Sequence, residues 1–137
     1  MIGILIVSHG SFGDALIHSA SHVLGKRPLQ VQQMGVAVHD DPDAILPRAR
    51  ELLRQLDTGD GVLVLTDMLG ATPSNIATRL LEAGRVEGLA GASLPMLIRA
   101  LTYRDEPLAA VVAKALSGGL EGVVHLTSDI CDAAGRG

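Results

Sequence analysis

The sequence predicts a single α/β domain with a mainly parallel sheet and helices on both of its faces. Short apolar runs alternate along the chain with amphipathic segments of helical length, which is the pattern of βαβ units. Two of the runs, residues 2–7 and 61–65, contain no polar side chain, as expected of strands covered on both faces. A chain of 137 residues is long enough to bury a core without disulfides or metals.

Two further apolar runs complete a predicted sheet of four strands. Residues 29–38 mix apolar side chains with glutamines, which is typical of a strand near an edge, and residues 88–92 form a short fourth strand. A last strand is expected over residues 122–126, after a turn at Gly118 and Gly119. The intervening segments have helical periodicity and predict helices over residues 14–24, 43–56, 72–81, 96–102 and 107–116.

Glycine, threonine and proline mark several helix ends. Gly25 is expected to end the first helix as a left-handed C-cap. Thr72 and Pro73 are interpreted as the N-cap and the first residue of the third helix. Pro47 conflicts with the helix predicted over residues 43–56, because outside the first turn a proline removes a backbone donor and kinks the helix.

Composition excludes some classes of function. The formal net charge is −4, basic residues do not cluster, and only Phe12 and Tyr103 are aromatic, so we expect no nucleic-acid partner. The N-terminal apolar stretch is too short to insert into a membrane and lacks the features of a signal peptide. Cys131, the lone cysteine, cannot form an internal disulfide, which suits a reducing compartment. We therefore expect a cytoplasmic domain over residues 1–126, followed by a flexible tail over residues 127–137.

Two polar residues follow strands that the fold brings together. If the second strand returns to the far side of the first, the strand order is 2-1-3-4, and the chain direction reverses between the first and third strands. In open α/β sheets the ligand crevice lies at that reversal, outside the carboxyl ends of the strands. His9 ends the first strand and Asp67 ends the third, so we expect them to be neighbours although they are distant in sequence.

A histidine beside a carboxylate has a defined chemical use. The carboxylate accepts the proton of one ring nitrogen and leaves the lone pair of the other nitrogen directed outward, as an oriented nucleophile. If that nitrogen attacks a phosphoryl group, the carboxylate also favours the positive charge that develops on the imidazole. The sequence therefore predicts His9 and Asp67 as a catalytic pair for phosphoryl transfer.

Few cations are near this pair in sequence, so the phosphoryl oxygens need other donors. Two helix starts supply them, because each presents unpaired backbone N–H groups and the positive end of a helix dipole toward the crevice. The predicted phosphate-binding residues are Gly10, Ser11, Gly70, Ala71 and Thr72. The glycines let the backbone approach without a Cβ clash, and the Thr72 hydroxyl serves the helix, the phosphate or both. We expect neither a metal nor a cofactor.

Other polar residues are expected to have structural roles. His18 and His22 have the i,i+4 spacing of a metal pair, but they lie opposite the apolar face of their helix and lack a third ligand. The group formed by His39 and the acidic residues among positions 40–43 has the composition of a cation site, yet acids before a helix are its ordinary electrostatic complement. His125 is expected to pack in the last strand or at an interface.

Three blocks of the sequence resemble a known family. They are ILIVSHG, which contains His9, TDMLGATPSN, which contains Asp67 and Thr72, and the later SLPML. Their order and spacing resemble those of the enzyme IIA domain of the mannose-type family of the bacterial phosphoenolpyruvate-dependent sugar phosphotransferase system (PTS), over residues 1–126. The resemblance implies a parallel sheet of order 2-1-3-4 and a homodimer in which a C-terminal strand is exchanged between subunits.

The resemblance also implies an activity and partners. In that family the histidine matching His9 receives a phosphoryl group from the phosphohistidine of the carrier protein HPr and passes it to a histidine of a IIB domain or subunit. The aspartate matching Asp67 orients the ring, and the hydroxyl residue matching Thr72 lies at the phosphate. This chain lacks the aromatic residues that some relatives carry within TDMLGATPSN. It also stops without a IIB domain, so IIB is expected on a separate chain.

Other functions fit part of the pattern. A small sirohydrochlorin-type metal chelatase also begins with an apolar strand ending in HGS, but such a site needs a second histidine where this chain has Asp67. Histidine phosphatases carry an arginine where this chain has Ser8, and a hydrolytic triad fails because Ser8 and His9 point to opposite faces of a strand. A regulatory module, in which phosphorylation of His9 changes binding to a kinase or transcriptional activator, stays open.

Overall fold

The computed structural model of the chain describes residues 1–129, which contain four strands and five longer helices. The strands are β1 (Gly3–His9), β2 (Val31–Val36), β3 (Val62–Thr66) and β4 (Val86–Ala90). The helices are α1 (Phe12–Leu24), α2 (Pro42–Leu56), α3 (Thr72–Leu80), α4 (Leu94–Thr102) and α5 (Leu108–Glu121). Over these 129 positions, no helix combines the length and the apolarity that crossing a bilayer requires.

All four strands are parallel and lie in the order β2-β1-β3-β4. This order and the α/β class confirm the fold predicted from the sequence. His9 pairs with Val36 on one side of β1, and Val7 pairs with Thr66 on the other. The carboxyl ends of β1, β2 and β3 therefore share one edge of the sheet, at the point where the strand order reverses.

Helices cover both faces of the sheet because the central strands are apolar on both. Ile4 and Ile6 of β1 pack in the core formed with α1, α4 and α5, whereas Leu5 and Val7 pack in the core formed with α2 and α3. All four side chains are fully buried. Burial of one such aliphatic side chain stabilises the fold by about 1.5–3 kcal/mol. This packing makes β1 a rigid support for His9, its last residue.

The structure confirms the predicted C-cap of α1 but not the predicted N-cap of α3. Gly25 has φ 78° and ends α1 as the expected left-handed C-cap. The N-cap of α3 is Ala71, so the assignment of Thr72 as the N-cap is wrong, and Thr72 and Pro73 are the first two helical residues. A proline is tolerated at either position of a first turn, because the amide that it lacks has no helical partner there.

The helix α2 begins at Pro42, one residue before the predicted start, and Pro47 lies inside it beyond the first turn. A proline at this position removes the donor for the carbonyl four residues earlier, that of Asp43. The Pro47 side of the helix is exposed, so water can bond to that carbonyl.

The turn predicted at Gly118 and Gly119 is wrong, since α5 continues through both glycines to Glu121. A Cβ on Gly118 would lie 2.9 Å from Arg99 Cβ and 3.0 Å from Pro95 O, both on α4. These glycines therefore allow α4 and α5 to pack closely, and the chain does not turn where glycine alone suggested it.

The strand predicted over residues 122–126 is wrong for this single chain. Residues 123–127 belong to neither a helix nor a strand, and Val123 and Leu126 are 86 % and 73 % exposed. His125 is exposed as well, rather than packed in a strand. A strand needs a neighbour for its backbone hydrogen bonds, and none of the four described strands pairs with this segment. Most of the predicted tail, with Cys131, lies outside the described residues.

Candidate functional site

The strand β1 ends with one buried and one exposed polar residue. Ser8 is fully buried, and its Oγ accepts a hydrogen bond from Gly13 N at 3.0 Å, which ties the first turn of α1 to the strand. His9 follows on the opposite face, and its side chain is 50 % exposed. The structure thus presents the imidazole to solvent at the edge where β1, β2 and β3 end, with no Ser8–His9 dyad.

Asp67 follows β3 directly and contacts His9 twice. Its Oδ2 lies 2.7 Å from His9 Nδ1 and accepts a hydrogen bond from His9 N at 2.9 Å. Its Oδ1 accepts a hydrogen bond from Met68 N at 2.9 Å. The Asp67 side chain is only 14 % exposed, so water competes little for these oxygens. One carboxylate therefore holds both the backbone and the ring of His9, and the structure brings together the two residues that the strand order predicted to meet.

The contact determines which ring nitrogen is free. An ionised carboxylate accepts hydrogen bonds but cannot donate them, so the proton of a neutral His9 imidazole is assigned to Nδ1. The other nitrogen, Nε2, is then unprotonated, and its lone pair points away from Asp67. The pair has the geometry of an oriented nitrogen nucleophile.

Hydrogen bonding keeps Asp67 ionised. Partial burial raises the pKa of this carboxyl, but hydrogen bonds from the backbone and ring of His9 and from Met68 N outweigh burial and place the pKa below its ordinary value. The stability contributed by this shift is present above the unfolded-state pKa and is lost as the pH falls through the folded-state pKa. At neutral pH the carboxylate is charged and stabilises positive charge on the neighbouring ring.

The β1–α1 loop makes a tight turn at Gly10. This residue has φ 49°, and its N–H donates to Val36 O at 3.1 Å. A Cβ on Gly35 of β2 would come within 2.2 Å of the Gly10 carbonyl oxygen, so the loop also requires glycine there, which the sequence analysis missed. Ser11 is the N-cap of α1, it is exposed, and its side chain makes no capping hydrogen bond.

The β3–α3 loop is closed by Ser74, a residue that the sequence analysis missed. Gly70 has φ 87°, and the N–H groups of Gly70 and Ala71 donate to Ser74 Oγ at 3.0 and 3.2 Å. Ser74 Oγ in turn donates to Ala71 O at 2.9 Å. The sequence feature that could have predicted these contacts is a hydroxyl residue at the third helical position, because a side chain there can reach back to the amide of the N-cap residue. Two of the predicted phosphate donors therefore already have a partner, while Thr72 lies half-buried at the start of α3.

Exposed apolar side chains lie in the loops and at the start of α1, at the same edge of the sheet as His9. They follow the carboxyl ends of β1, β2 and β3, and we call them the apolar rim: Phe12, Val38, Met68 and Leu69, which are 39 %, 94 %, 57 % and 80 % exposed. Large apolar side chains grouped at one edge are typical of surfaces that contact another macromolecule.

The remaining candidate residues are separate from the His9 site. Asp41 caps α2 by accepting a hydrogen bond from Asp43 N, and Asp43 pairs with Arg79 of α3. His18 and His22 are exposed on α1. Within residues 1–129, no three histidine, cysteine or acidic side chains are grouped as a metal ion would require.

The parallel sheet of order 2-1-3-4, the exposed histidine at the end of its first strand and the carboxylate that contacts it after the third strand match the arrangement expected above of a PTS IIA component. Comparison with known proteins then identifies the family. The chain belongs to the family described as "PTS system fructose IIA component", whose model matches residues 3–116. Membership in this family favours the phosphotransferase class over the chelatase and phosphatase alternatives.

Individual relatives agree with this family. The "PTS system mannose-specific EIIAB component" of Escherichia coli (strain K12) is 32 % identical over 128 residues, which are 91 % of this chain and 39 % of that protein. The chain thus spans less than half the length of that relative. The "Transcriptional regulatory protein LevR" of Bacillus subtilis is 35 % identical over 68 residues, 49 % of this chain and 7 % of that protein.

A solved structure is also similar to this chain. It is the phosphotransferase system component EIIA from Streptococcus agalactiae, which is 28 % identical with a TM-score of 0.80, over 91 % of this chain and 97 % of that chain. The similarity extends over nearly the whole of both chains, so the fold described above is that of a PTS IIA component.

Proposed function

We propose that the protein is a cytoplasmic phosphohistidine carrier in sugar uptake, which accepts a phosphoryl group on His9 Nε2 from HPr and passes it to a histidine of a IIB subunit. The observation that carries the proposal is the 2.7 Å contact between His9 Nδ1 and Asp67 Oδ2, which leaves Nε2 free on a half-exposed ring. The family of the chain favours the same reaction.

Transfer between two histidines needs no external acid or base. The Nε2 lone pair of His9 forms an N–P bond as the N–P bond of the donor phosphohistidine breaks, and the donor imidazole leaves with the electron pair. The positive charge that His9 gains faces the Asp67 carboxylate through the proton on Nδ1. One N–P bond replaces another, so the step is reversible, and the protein contributes positioning and charge stabilisation.

The phosphoryl oxygens are proposed to bind at the starts of α1 and α3. Ser11 and Thr72 contribute hydroxyl groups and backbone amides at the positive ends of the two helix dipoles. Gly10 and Gly70 keep the approach open, because apart from the two adjacent residues of the chain no atom lies within 4 Å of the place where a Cβ would stand on either glycine. Gly70 and Ala71 contribute their N–H groups when these leave Ser74.

The direct test is phosphorylation by purified PTS components. Incubation with phosphoenolpyruvate, enzyme I and HPr is expected to modify His9, and the modification is expected to be labile in acid and stable in base, as phosphohistidine is. Peptide mass spectrometry under alkaline conditions locates the group. An unmodified protein, or a phosphoryl group on another histidine, would contradict the proposal.

Replacement of Asp67 with Asn is expected to slow phosphoryl transfer to and from His9 about 10- to 100-fold. The amide still accepts a hydrogen bond from His9 N, so the fold is kept, but the charge that stabilises the imidazolium is lost. Rapid-quench kinetics with phospho-HPr measures the rate, and Asp60→Asn, at the opposite edge of the sheet, is the matched control. If the Asp67→Asn protein and the protein without a substitution transfer the phosphoryl group at equal rates, Asp67 has no part in the mechanism.

The apolar rim is proposed as the surface that HPr and IIB contact. Leu69 is 80 % exposed, so Leu69→Asp is expected to leave the fold intact while raising KM for phospho-HPr about tenfold, the effect of losing about 1.4 kcal/mol of binding. Leu29→Asp is the control, since Leu29 is 73 % exposed at the opposite edge. Equal KM values for the two variants would place the contact elsewhere.

We also propose that two chains form a homodimer by exchanging residues 122–126. In the described chain β4 is an edge strand, and no strand pairs with its outer side, where Val86 forms a single antiparallel bridge with Glu82. The exposed apolar side chains of α5 and of the segment after it lack cover: Leu116, Leu120, Val123, Val124 and Leu126. Sedimentation equilibrium is expected to give twice the mass of the chain, and a chain ending at Glu121 is expected to be monomeric. A monomeric full-length chain at micromolar concentration would contradict the exchange.

A regulatory role is the second candidate function, and the similarity to LevR favours it. Phosphorylation of His9 adds about −1.5 to −2 charge beside the apolar rim, which would change the binding of a partner there. Incubation of the phosphorylated protein with a IIB subunit distinguishes the two functions. A carrier loses its phosphoryl group to IIB, whereas a regulator keeps the group and binds its partner differently in the two states.

A further inference from the structure

We infer that Ser74 is a positioning residue, a latch for the phosphate-binding loop. Its hydroxyl holds the N–H groups of Gly70 and Ala71 while His9 is unphosphorylated, and it turns toward Thr66 when a phosphoryl group binds those donors. The inference rests on the proposed function of His9 and adds a conformational step to it.

The Ser74 hydroxyl occupies the donors that a phosphoryl group needs. The residue is 3 % exposed, and its Oγ accepts hydrogen bonds from Gly70 N at 3.0 Å and Ala71 N at 3.2 Å while donating to Ala71 O at 2.9 Å. These are bonds between neutral groups. Hydrogen bonds to a charged acceptor such as a phosphoryl oxygen are about twice as strong, so a phosphoryl group on the neighbouring His9 displaces the hydroxyl.

Thr66 offers the displaced hydroxyl a second partner. It is the last residue of β3, it is 4 % exposed, and its Oγ1 is buried without a hydrogen-bond partner in the described part of the chain. Thr66 and Ser74 line one cavity of about 140 Å³ between α3 and the end of β4, which gives the serine side chain room to change rotamer. A buried hydroxyl without a partner destabilises the protein, so a Ser74–Thr66 bond in the phosphorylated protein would remove that penalty.

Two substitutions are expected to move the phosphorylation equilibrium in opposite directions. Ser74→Ala removes the competing acceptor, so the equilibrium with phospho-HPr should shift three- to tenfold toward phospho-His9, about the effect of one hydrogen bond. Thr66→Val removes the alternative partner of the Ser74 hydroxyl, so the equilibrium with phospho-HPr should shift about threefold toward unphosphorylated His9. The Thr66 hydroxyl has no partner in the unphosphorylated protein, so this variant should be no less stable.

Thr78→Ala is the matched control for both variants. Thr78 Oγ1 donates to Ser74 O at 2.8 Å within α3, so its removal takes one hydroxyl from the same helix without touching the loop amides. This variant is expected to leave the phosphorylation equilibrium unchanged. A shift as large as that of Ser74→Ala would show that any loss of helix stability produces the effect, and would overturn the latch.

NMR observes the latch without a protein partner. Phosphoramidate phosphorylates His9 as its own P–N bond breaks, ammonia leaves and the Nε2–P bond forms, and the amide resonances of Gly70 and Ala71 are compared before and after. Both are expected to shift on phosphorylation. Shifts confined to other residues, or Ser74→Ala and Thr66→Val effects of the same sign, would overturn the latch and leave the carrier function intact. If phosphoramidate fails to modify His9, both the latch and the carrier function are overturned. If phosphoramidate modifies His9 but phospho-HPr does not, only the carrier function is overturned.

Discussion

A His9→Gln protein is expected to accept no phosphoryl group from phospho-HPr. An amide nitrogen is not a nucleophile under these conditions, and within the described residues His9 is the histidine whose ring an aspartate orients. Glutamine can still form a hydrogen bond with Asp67, so the site keeps its fold. Transfer of radiolabelled phosphate from phosphoenolpyruvate through enzyme I and HPr gives the readout.

Two matched controls come from α1. His18 and His22 are exposed and lie away from Asp67, so His18→Gln and His22→Gln proteins are expected to accept a full equivalent of phosphate. Thermal unfolding of all three variants should match that of the unmodified chain. Labelled His9→Gln protein, or loss of label in either control, would assign the phosphoryl group to a different side chain.

An Arg104→Met substitution is expected to lower the free energy of unfolding by about 3–4 kcal/mol, because hydrogen bonds to a charged group contribute about 1.5–3 kcal/mol each and are only partly additive. Arg104 is 7 % exposed. Its guanidinium donates to Ile2 O at 2.7 and 3.1 Å, to Leu29 O at 2.6 Å and to Gln30 O at 3.0 Å. Methionine fills a similar volume but removes these donors from Ile2 O and Leu29 O, while Gln30 O keeps the hydrogen bond from Ile4 N at 3.0 Å.

The backbone at Gln30 adds to this effect. Gln30 has φ 53°, a left-handed conformation that costs a residue with a side chain about 1–3 kcal/mol, and the Arg104 bond helps to hold it. Burial lowers the pKa of Arg104, and the nearby Asp105 carboxylate opposes that shift, so the guanidinium stays charged. Urea denaturation measures the change. Arg27→Met, at an exposed arginine in the loop between α1 and β2 that also contains Gln30, is expected to have little effect. Equal stabilities of the two variants would show that Arg104 is not a structural clamp.

The apolar runs predicted the sheet well because burial on both faces leaves little choice of residue. The wholly apolar segments at residues 2–7 and 61–65 became β1 and β3, the two central strands. Glycine was a poorer guide, since the same residue type ends α1 at Gly25 but permits helix packing at Gly118. Whether a glycine turns the chain or admits a neighbour depends on elements distant in sequence, which local reasoning does not include.

The candidate site was predicted in part. His9 and Asp67 could be paired because one ends and the other follows a central strand, and the strand order that the family resemblance implies brings these two strand ends together. The structure places the two side chains in contact. The contacts of Ser74 with Gly70 and Ala71 were not anticipated, although the residues are close in sequence. A serine hydroxyl in a first helical turn can form hydrogen bonds with several nearby backbone groups, and the path of the preceding loop determines which of them it contacts.

The sequence by itself determined the α/β class and the presence of a histidine and an aspartate at the ends of two apolar strands, because these follow from where apolar runs begin and end. The strand order was implied by the resemblance of the sequence to a known family. Only the tertiary structure decided which ring nitrogen is free, which loop amides already have a partner and how Arg104 joins segments far apart in the chain. Hydrogen bonds depend on distances of a few tenths of an ångström, and those distances are set by the packing of the whole domain. Hydrophobic burial tolerates far larger differences in position, which is why the fold could be predicted before the details of its site.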